Sequence, residues 1–182
     1  MKKKSFVMVL ALVLVFAVAV GGVVAWLTDT TGPVKNTFTV GDINIALTET
    51  GTNEAGEKSY KMIPGTTLDK DPKVTVKANS EACWLFVKVE KSTNFDTFMT
   101  YAMADGWTEL DGHDGVYYRE VGATTADTSF SVLAGDKVTV KDTVTKTNLN
   151  DLTETTYPTL IFTAYAVQKD NINSAADAWS KI

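Results

Sequence analysis

From residue 38 onward, apolar and polar positions alternate in short runs. Phe38 and Val40, then Ile43, Ile45 and Leu47, are separated by polar residues, and Gly41-Asp42 breaks the phase. Val74-Thr75-Val76 follows, then Leu85-Phe86-Val87-Lys88-Val89, Val116-Tyr117-Tyr118, Phe130-Ser131-Val132 and Val138-Thr139-Val140, with Val144 beyond. A period of two puts alternate side chains on one face of a strand. Leu160–Val167 is apolar nearly throughout and predicts a central strand. Pro64-Gly65, Asp71-Pro72, Asp111-Gly112, Asp114-Gly115 and Gly135-Asp136 separate these runs as turns. Many short strands at close spacing predict an all-β fold, a jelly-roll-like β-sandwich. The 27 threonines, often beside Val, Ile or Phe, agree with strands, because β-branched side chains suit a pleated surface.

Two segments break the alternation and predict short peripheral helices. Asn94 is placed to N-cap Phe95–Ala104, with Phe95, Phe98, Met99 and Met103 on one face. Ser174 is placed to N-cap Ala175–Trp179. The stretch Thr50–Lys58, with Gly51, Asn53 and Gly56, predicts a polar surface loop.

The N-terminus has a different pattern. Lys2, Lys3 and Lys4 precede Phe6–Val20, an apolar run without a charge, then Gly21-Gly22 and Val23-Val24-Ala25. A basic start, an apolar stretch and a small-residue end define a secretory signal, residues 1–25, with a signal helix and a cut between Ala25 and Trp26. An uncleaved anchor is the alternative, since Phe6 to Leu27 carries no charge and is long enough to span a bilayer. Cleavage leaves an N-terminal arm, residues 26–40, and a domain, residues 41–182. It removes three lysines and no acid, so the net charge moves from −5 to −8.

Charge and composition narrow the function. Asp and Glu number 22 against 17 Lys and Arg, the reverse of a nucleic-acid binder's balance. One His and one Cys rule out a Cys/His zinc cluster, an intrachain disulfide and an HExxH helix. Cys83, inside Ala82-Cys83-Trp84-Leu85-Phe86, reads as a buried small hydrophobe. His113 lies in Asp111-Gly112-His113-Asp114-Gly115, a solvated turn, a calcium loop or a His-carboxylate zinc site, although the twelve-residue EF-hand spacing and closing Glu are absent. Leu152-Thr153-Glu154-Thr155-Thr156-Tyr157-Pro158 matches the short LxETxxP core of the pilin E-box, which Thr-rich sequence also produces by chance. Trp84, Trp107 and Trp179 are either core residues or a carbohydrate platform. No catalytic residue, metal or cofactor is assigned.

The block Gly21-Gly22-Val23-Val24-Ala25-Trp26-Leu27-Thr28-Asp29-Thr30, followed by Asn36-Thr37-Phe38-Thr39-Val40-Gly41, resembles the TasA/camelysin group of Gram-positive exported proteins. Lys61-Met62-Ile63-Pro64-Gly65 resembles the group's Pro-Gly turn ahead of a strand. Phe162–Gln168 and the Ala-rich end Ala175–Trp179 resemble its alternate signal-mediated exported branch. The resemblance implies a signal cut by a SipW-type peptidase, a jelly-roll domain, secretion, and fibres of the biofilm matrix. In those fibres the N-terminal segment of one subunit completes the sheet of the next. Some relatives carry a camelysin metalloendopeptidase label; the sequence here departs from any usual metalloprotease pattern.

The arm suits that role. An unpaired Trp26–Thr39 would expose Trp26, Leu27, Val34 and Phe38. Burying each in a neighbour's groove contributes roughly 1.5–3 kcal/mol. These four are the expected donor-strand anchors, and Pro33 has to lie at a bend or face away from the ladder. The expectation is therefore a secreted structural subunit that self-associates into extracellular matrix or cell-surface fibres, with no nucleic acid and with the membrane touched only through the uncleaved signal. The arm folded back on its own domain, as in a monomeric exported adhesin or binding module, is one alternative; a camelysin-like protease is another.

Overall fold

A computed structural model of the chain describes residues 41–182. The signal 1–25, the Ala25–Trp26 cut, the arm 26–40 and the anchors Trp26, Leu27, Val34 and Phe38 lie outside the described residues. By its contacts the chain divides between Thr39 and Val40.

The described residues are all-β with short helices. Ten strands form: β1 (Ile45–Thr48), β2 (Thr67–Asp69), β3 (Lys73–Val76), β4 (Cys83–Lys91), β5 (Met99–Thr100), β6 (Thr108–Glu109), β7 (Val116–Val121), β8 (Thr128–Ser131), β9 (Lys137–Val140) and β10 (Leu160–Gln168). Three short helices join them: α1 (Phe95–Phe98), α2 (Lys146–Asn150) and α3 (Ala175–Trp179). The strands make three sheets, ordered β1-β3-β8, β10-β4-β7-β6 and β2-β9-β5, and every pair is antiparallel.

The first and third sheets are two halves of one layer. β2 runs into β3 across Asp71-Pro72, and β8 runs into β9 across a 3₁₀ turn at Ala134–Asp136. Pro72 has no N–H to give a ladder, so the strand breaks there. This layer faces β10-β4-β7-β6 over a core of Val74, Val76, Cys83, Leu85, Val87, Val89, Trp107, Val121 and Val132. A second cluster, with Phe95, Phe98, Leu133, Val138 and Val140, fills the β2-β9-β5 end. A third lies on the outer face of the four-stranded sheet, where Ala175 and Ala178 of α3 cover Trp84, Phe86 and Val116. β4 therefore has both faces covered, which explains its nearly unbroken apolar run.

The Ser174 cap forms: its hydroxyl accepts from Asp177 N at 3.1 Å and donates to the Asp177 carboxylate at 2.7 Å. The helix expected over Phe95–Ala104 is only one turn. Met99 turns extended and pairs with Val140, and Met103 bridges to Leu133. Pairing with β9 satisfies the backbone and buries Met99 at once, which a longer helix would forgo. Asn94 does not cap; its side chain accepts from Ser92 Oγ and donates to Thr156 O, both at 2.8 Å. Sequence reading missed α2, whose capping box joins Thr145 and Asn148. β10 also differs from expectation: among the described residues it ends its sheet instead of lying inside it.

Candidate strand-accepting edge

β10 pairs with β4 over all nine residues, from Leu160↔Lys91 to Gln168↔Cys83. Among the described residues no strand hydrogen-bonds to its other side, although β1 of the facing layer comes within 8 Å between Cα atoms. Leu160, Phe162, Ala164 and Ala166 turn inward onto the main core, while Tyr165 and Val167 turn outward onto the α3 cluster. Both faces are therefore partly covered, with Ile161 left exposed on the outer one, while the outward row of backbone N–H and C=O groups is unpaired among the described residues. Natural edge strands are usually short or carry Lys, Pro or a bulge, because a bare edge templates further pairing. β10 has none of these, since Leu-Ile-Phe-Thr-Ala-Tyr-Ala-Val-Gln contains neither charge nor proline. The other strands that end a sheet are two to four residues long.

Two groups of side chains fix the surroundings of this edge. At the Leu160 end, Lys70 pairs with Glu49 at 2.8 Å with both side chains under 15% exposed (14% and 11%). The Tyr60 hydroxyl donates to Glu49, and the Lys70 ammonium lies 5.4 Å from the Phe162 ring centroid and 5.5 Å from that of Tyr60. Burial, then the hydrogen bond to the Glu49 carboxylate, holds the Tyr60 phenol well above its ordinary pKa. Thr50 donates to Asp71 through its hydroxyl at 2.7 Å and its N–H at 3.0 Å, which holds that carboxyl below the usual range. These contacts hold the end of β1 beside β10, and the two strands approach within 8 Å between Cα atoms.

At the Gln168 end, Lys169 N donates to Ala82 O at 2.8 Å and Glu81 N donates to Asp42 O at 3.0 Å. The buried Ser80 hydroxyl accepts from Asn44 N at 3.1 Å. The chain thus enters the domain at Gly41-Asp42, beside the finish of β10.

The other sequence candidates are dispersed. Cys83 is fully buried on the inner face of β4, and burial pushes its thiol up to about 11. Trp84 and Trp107 are buried on opposite faces of the four-stranded sheet, with indole N–H groups donating to Ile172 O at 3.2 Å and Ser131 O at 2.8 Å. Trp179 packs edge-on to Tyr165 and tilted against Phe86. The three do not form a shared platform. His113 is exposed, 6.1 Å from the Trp179 ring, and no group of three or more His, Cys, Asp or Glu side chains converges among the described residues. Glu154 of the LxETxxP stretch is exposed in a turn closed by Thr153 N donating to Thr156 Oγ1 at 2.7 Å.

Sequence reasoning missed Arg119, the chain's one arginine. It extends between the layers on the β7 side, 3.9 Å from the Phe130 ring centroid and 5.3 Å from that of Trp107. Gly106, at φ +86°, makes room for it, since a Cβ there would be 2.7 Å from Arg119 Nη2. The signal was a lone guanidinium alternating with apolar residues in Val116–Val121. No family model matches this chain, and no curated protein or solved structure matches it either.

Proposed function

We propose that this is an exported structural protein whose domain accepts a strand along β10 and whose N-terminal arm, residues 26–40, supplies one. Copies then join head to tail into extracellular matrix or cell-surface fibres. The observation that carries this reading is the edge itself: nine uncharged residues, paired on one side only among the described residues. Added strands gain main-chain hydrogen bonds along such an edge and side-chain sites at alternate positions. A head-to-tail contact propagates instead of closing on itself, so it yields fibres. The two-layer strand arrangement supports a jelly-roll reading, as the resemblance to the TasA/camelysin group implies. A SipW-type peptidase would cut between Ala25 and Trp26 and free the arm; until then the signal would hold it at the membrane. No catalytic role is part of this reading; His113, the one imidazole, stands exposed in a turn.

Light scattering over a concentration series, with electron microscopy, tests the reading. The exported full chain is expected to grow into fibres. The same chain lacking Trp26–Thr39 is expected to remain monomeric with its β circular-dichroism signal kept. A full chain that stays monomeric at every concentration would instead identify a monomeric exported adhesin or binding module.

A further inference from the structure

Arg119 stands in register with Leu85 of β4, so it shares the inner face of β7 with Tyr117 and Val121, where a charge is unexpected. Its guanidinium carbon lies 3.9 Å from the Phe130 ring centroid and 5.3 Å from that of Trp107. Gly106 leaves the space it occupies; a Cβ there would stand 2.7 Å from Nη2 and 3.2 Å from Cζ. Ring faces attract a guanidinium, but they are not acceptors for the N–H groups in its plane. Nε is enclosed and has no acceptor among the described residues. All six ion pairs of the described residues use lysine, so none joins Arg119. The neighbouring Glu120 is in register with Trp84 on the outer face and bonds Lys169 there. Burial lowers the Arg119 pKa, and no nearby charge offsets it.

A flat cation fixed against aromatic rings, with its hydrogen-bonding capacity unused, is preorganised for a planar anion. The residue is half-buried with Nε at its enclosed end, so the end open to a ligand is that of Nη1 and Nη2. Phe130, on which the guanidinium rests, also lines a cleft of about 420 Å³ with Glu120, Gly122, Thr125 and Thr128. That volume suits a small acid or one acidic side chain. We propose that Arg119 is a carboxylate-binding site between β7 and β8, with Nη1 and Nη2 each donating to one oxygen of a small organic acid or an acidic peptide. The fork matches the two oxygens in one plane, which a lysine ammonium does not. Trp107 is itself fixed, its indole N–H donating to Ser131 O at 2.8 Å, so the fork is held in place before a ligand arrives and little side-chain freedom is lost on binding. Neither β10 nor the N-terminal arm takes part, so the site stands apart from the assembly reading.

Arginine occurs once in the chain, so isotopic labelling of arginine nitrogen gives a single guanidinium signal. The exported full chain is titrated with sodium acetate, with hexaglutamate, with inorganic phosphate and with sodium chloride at matched ionic strength. The signal is read by solution NMR, or by magic-angle spinning where the chain has assembled. The expected result is an Nε–Hε resonance that moves saturably with carboxylate and stays in place with chloride. Saturation by acetate identifies a small free acid as sufficient, and saturation by hexaglutamate alone identifies an acidic peptide. A bound carboxylate also raises the melting temperature by mass action. Arg119→Lys keeps the charge without the fork, and should need at least about tenfold more carboxylate for the same rise. An equal response in Arg119→Lys, or a shift with chloride as large as with acetate and hexaglutamate, overturns the proposal and leaves Arg119 as a cover for the core. Saturation by phosphate with none by either carboxylate overturns it as well. Should Arg119→Lys fail to fold, the titration of the unchanged chain still decides between these outcomes.

Discussion

The four-stranded sheet ends in two unlike edges. On one side β6 is two residues long, Thr108–Glu109, and carries an acid. Next to it the gap between the layers is closed by Arg119 stacked between Phe130 and Trp107. On the other side β10 offers nine residues without a charge or proline. Shortness, charge and a covering side chain are the usual ways of silencing an edge. One edge has all three; the other has neither shortness nor charge in its strand, and Lys70 covers it only near Phe162. Both edges sit on the same sheet, so general strand chemistry does not explain the contrast; the side-chain choices at each edge do.

The largest expected effect comes from making the two edges alike. Thr163→Lys places a charge in the middle of β10, and self-association measured by sedimentation is expected to disappear. Thr163 is half-buried and lies opposite Lys88, so the new like-charge pair should lower the unfolding free energy by up to about 1 kcal/mol, leaving the domain folded. Thr108→Lys on β6 is the matched control and should leave assembly intact. Equal loss of assembly in both variants would mean that β10 is not the contact.

Opening the closed side is expected to act on stability instead. Arg119→Ala removes the guanidinium from its two rings and should cost about 1–2 kcal/mol in urea unfolding, with fibre growth retained. If Arg119→Ala promoted lateral association through β7, the closed side would prove to be a guarded interface as well.

The smallest effect concerns the cluster that holds β1 beside β10. The folded state raises the Tyr60 phenol above its unfolded value through burial first and the Glu49 contact second. The stability from this neutral phenol is therefore fully present below about pH 10, the ordinary tyrosine value, and is lost as pH rises toward the folded one. Thermal unfolding between about pH 8 and pH 11 should show the melting temperature falling at the alkaline end, and Tyr60→Phe should flatten part of that fall. Identical slopes for the two proteins would mean that Tyr60 is not held in the folded state as described.

Much of the strand content was legible in the sequence, and the reason is local. Val74-Thr75-Val76, Leu85–Val89 and Val138–Val140 each state which face is buried through a period of two, and each is a strand. Ser174 announced α3 through its own side chain. The helix over Phe95–Ala104 was misjudged because Phe95, Phe98 and Met99 are buried whether the chain coils or extends. The availability of β9 decided it. The Lys70–Glu49–Tyr60 cluster and the Arg119 stack were invisible for a related reason: each joins residues far apart in the chain.

β10 divides most clearly what each level determined. By itself the sequence established an apolar strand at Leu160–Val167, because hydrophobic side chains report burial of the two faces, and both faces are partly covered, by the main core and by the α3 cluster over Tyr165 and Val167. Whether a further strand lies alongside is a matter of backbone hydrogen bonds, which every residue except proline offers alike and which side-chain hydrophobicity does not record. Only the tertiary structure put β4 on one side of β10 and left the other without a hydrogen-bonded strand among the described residues.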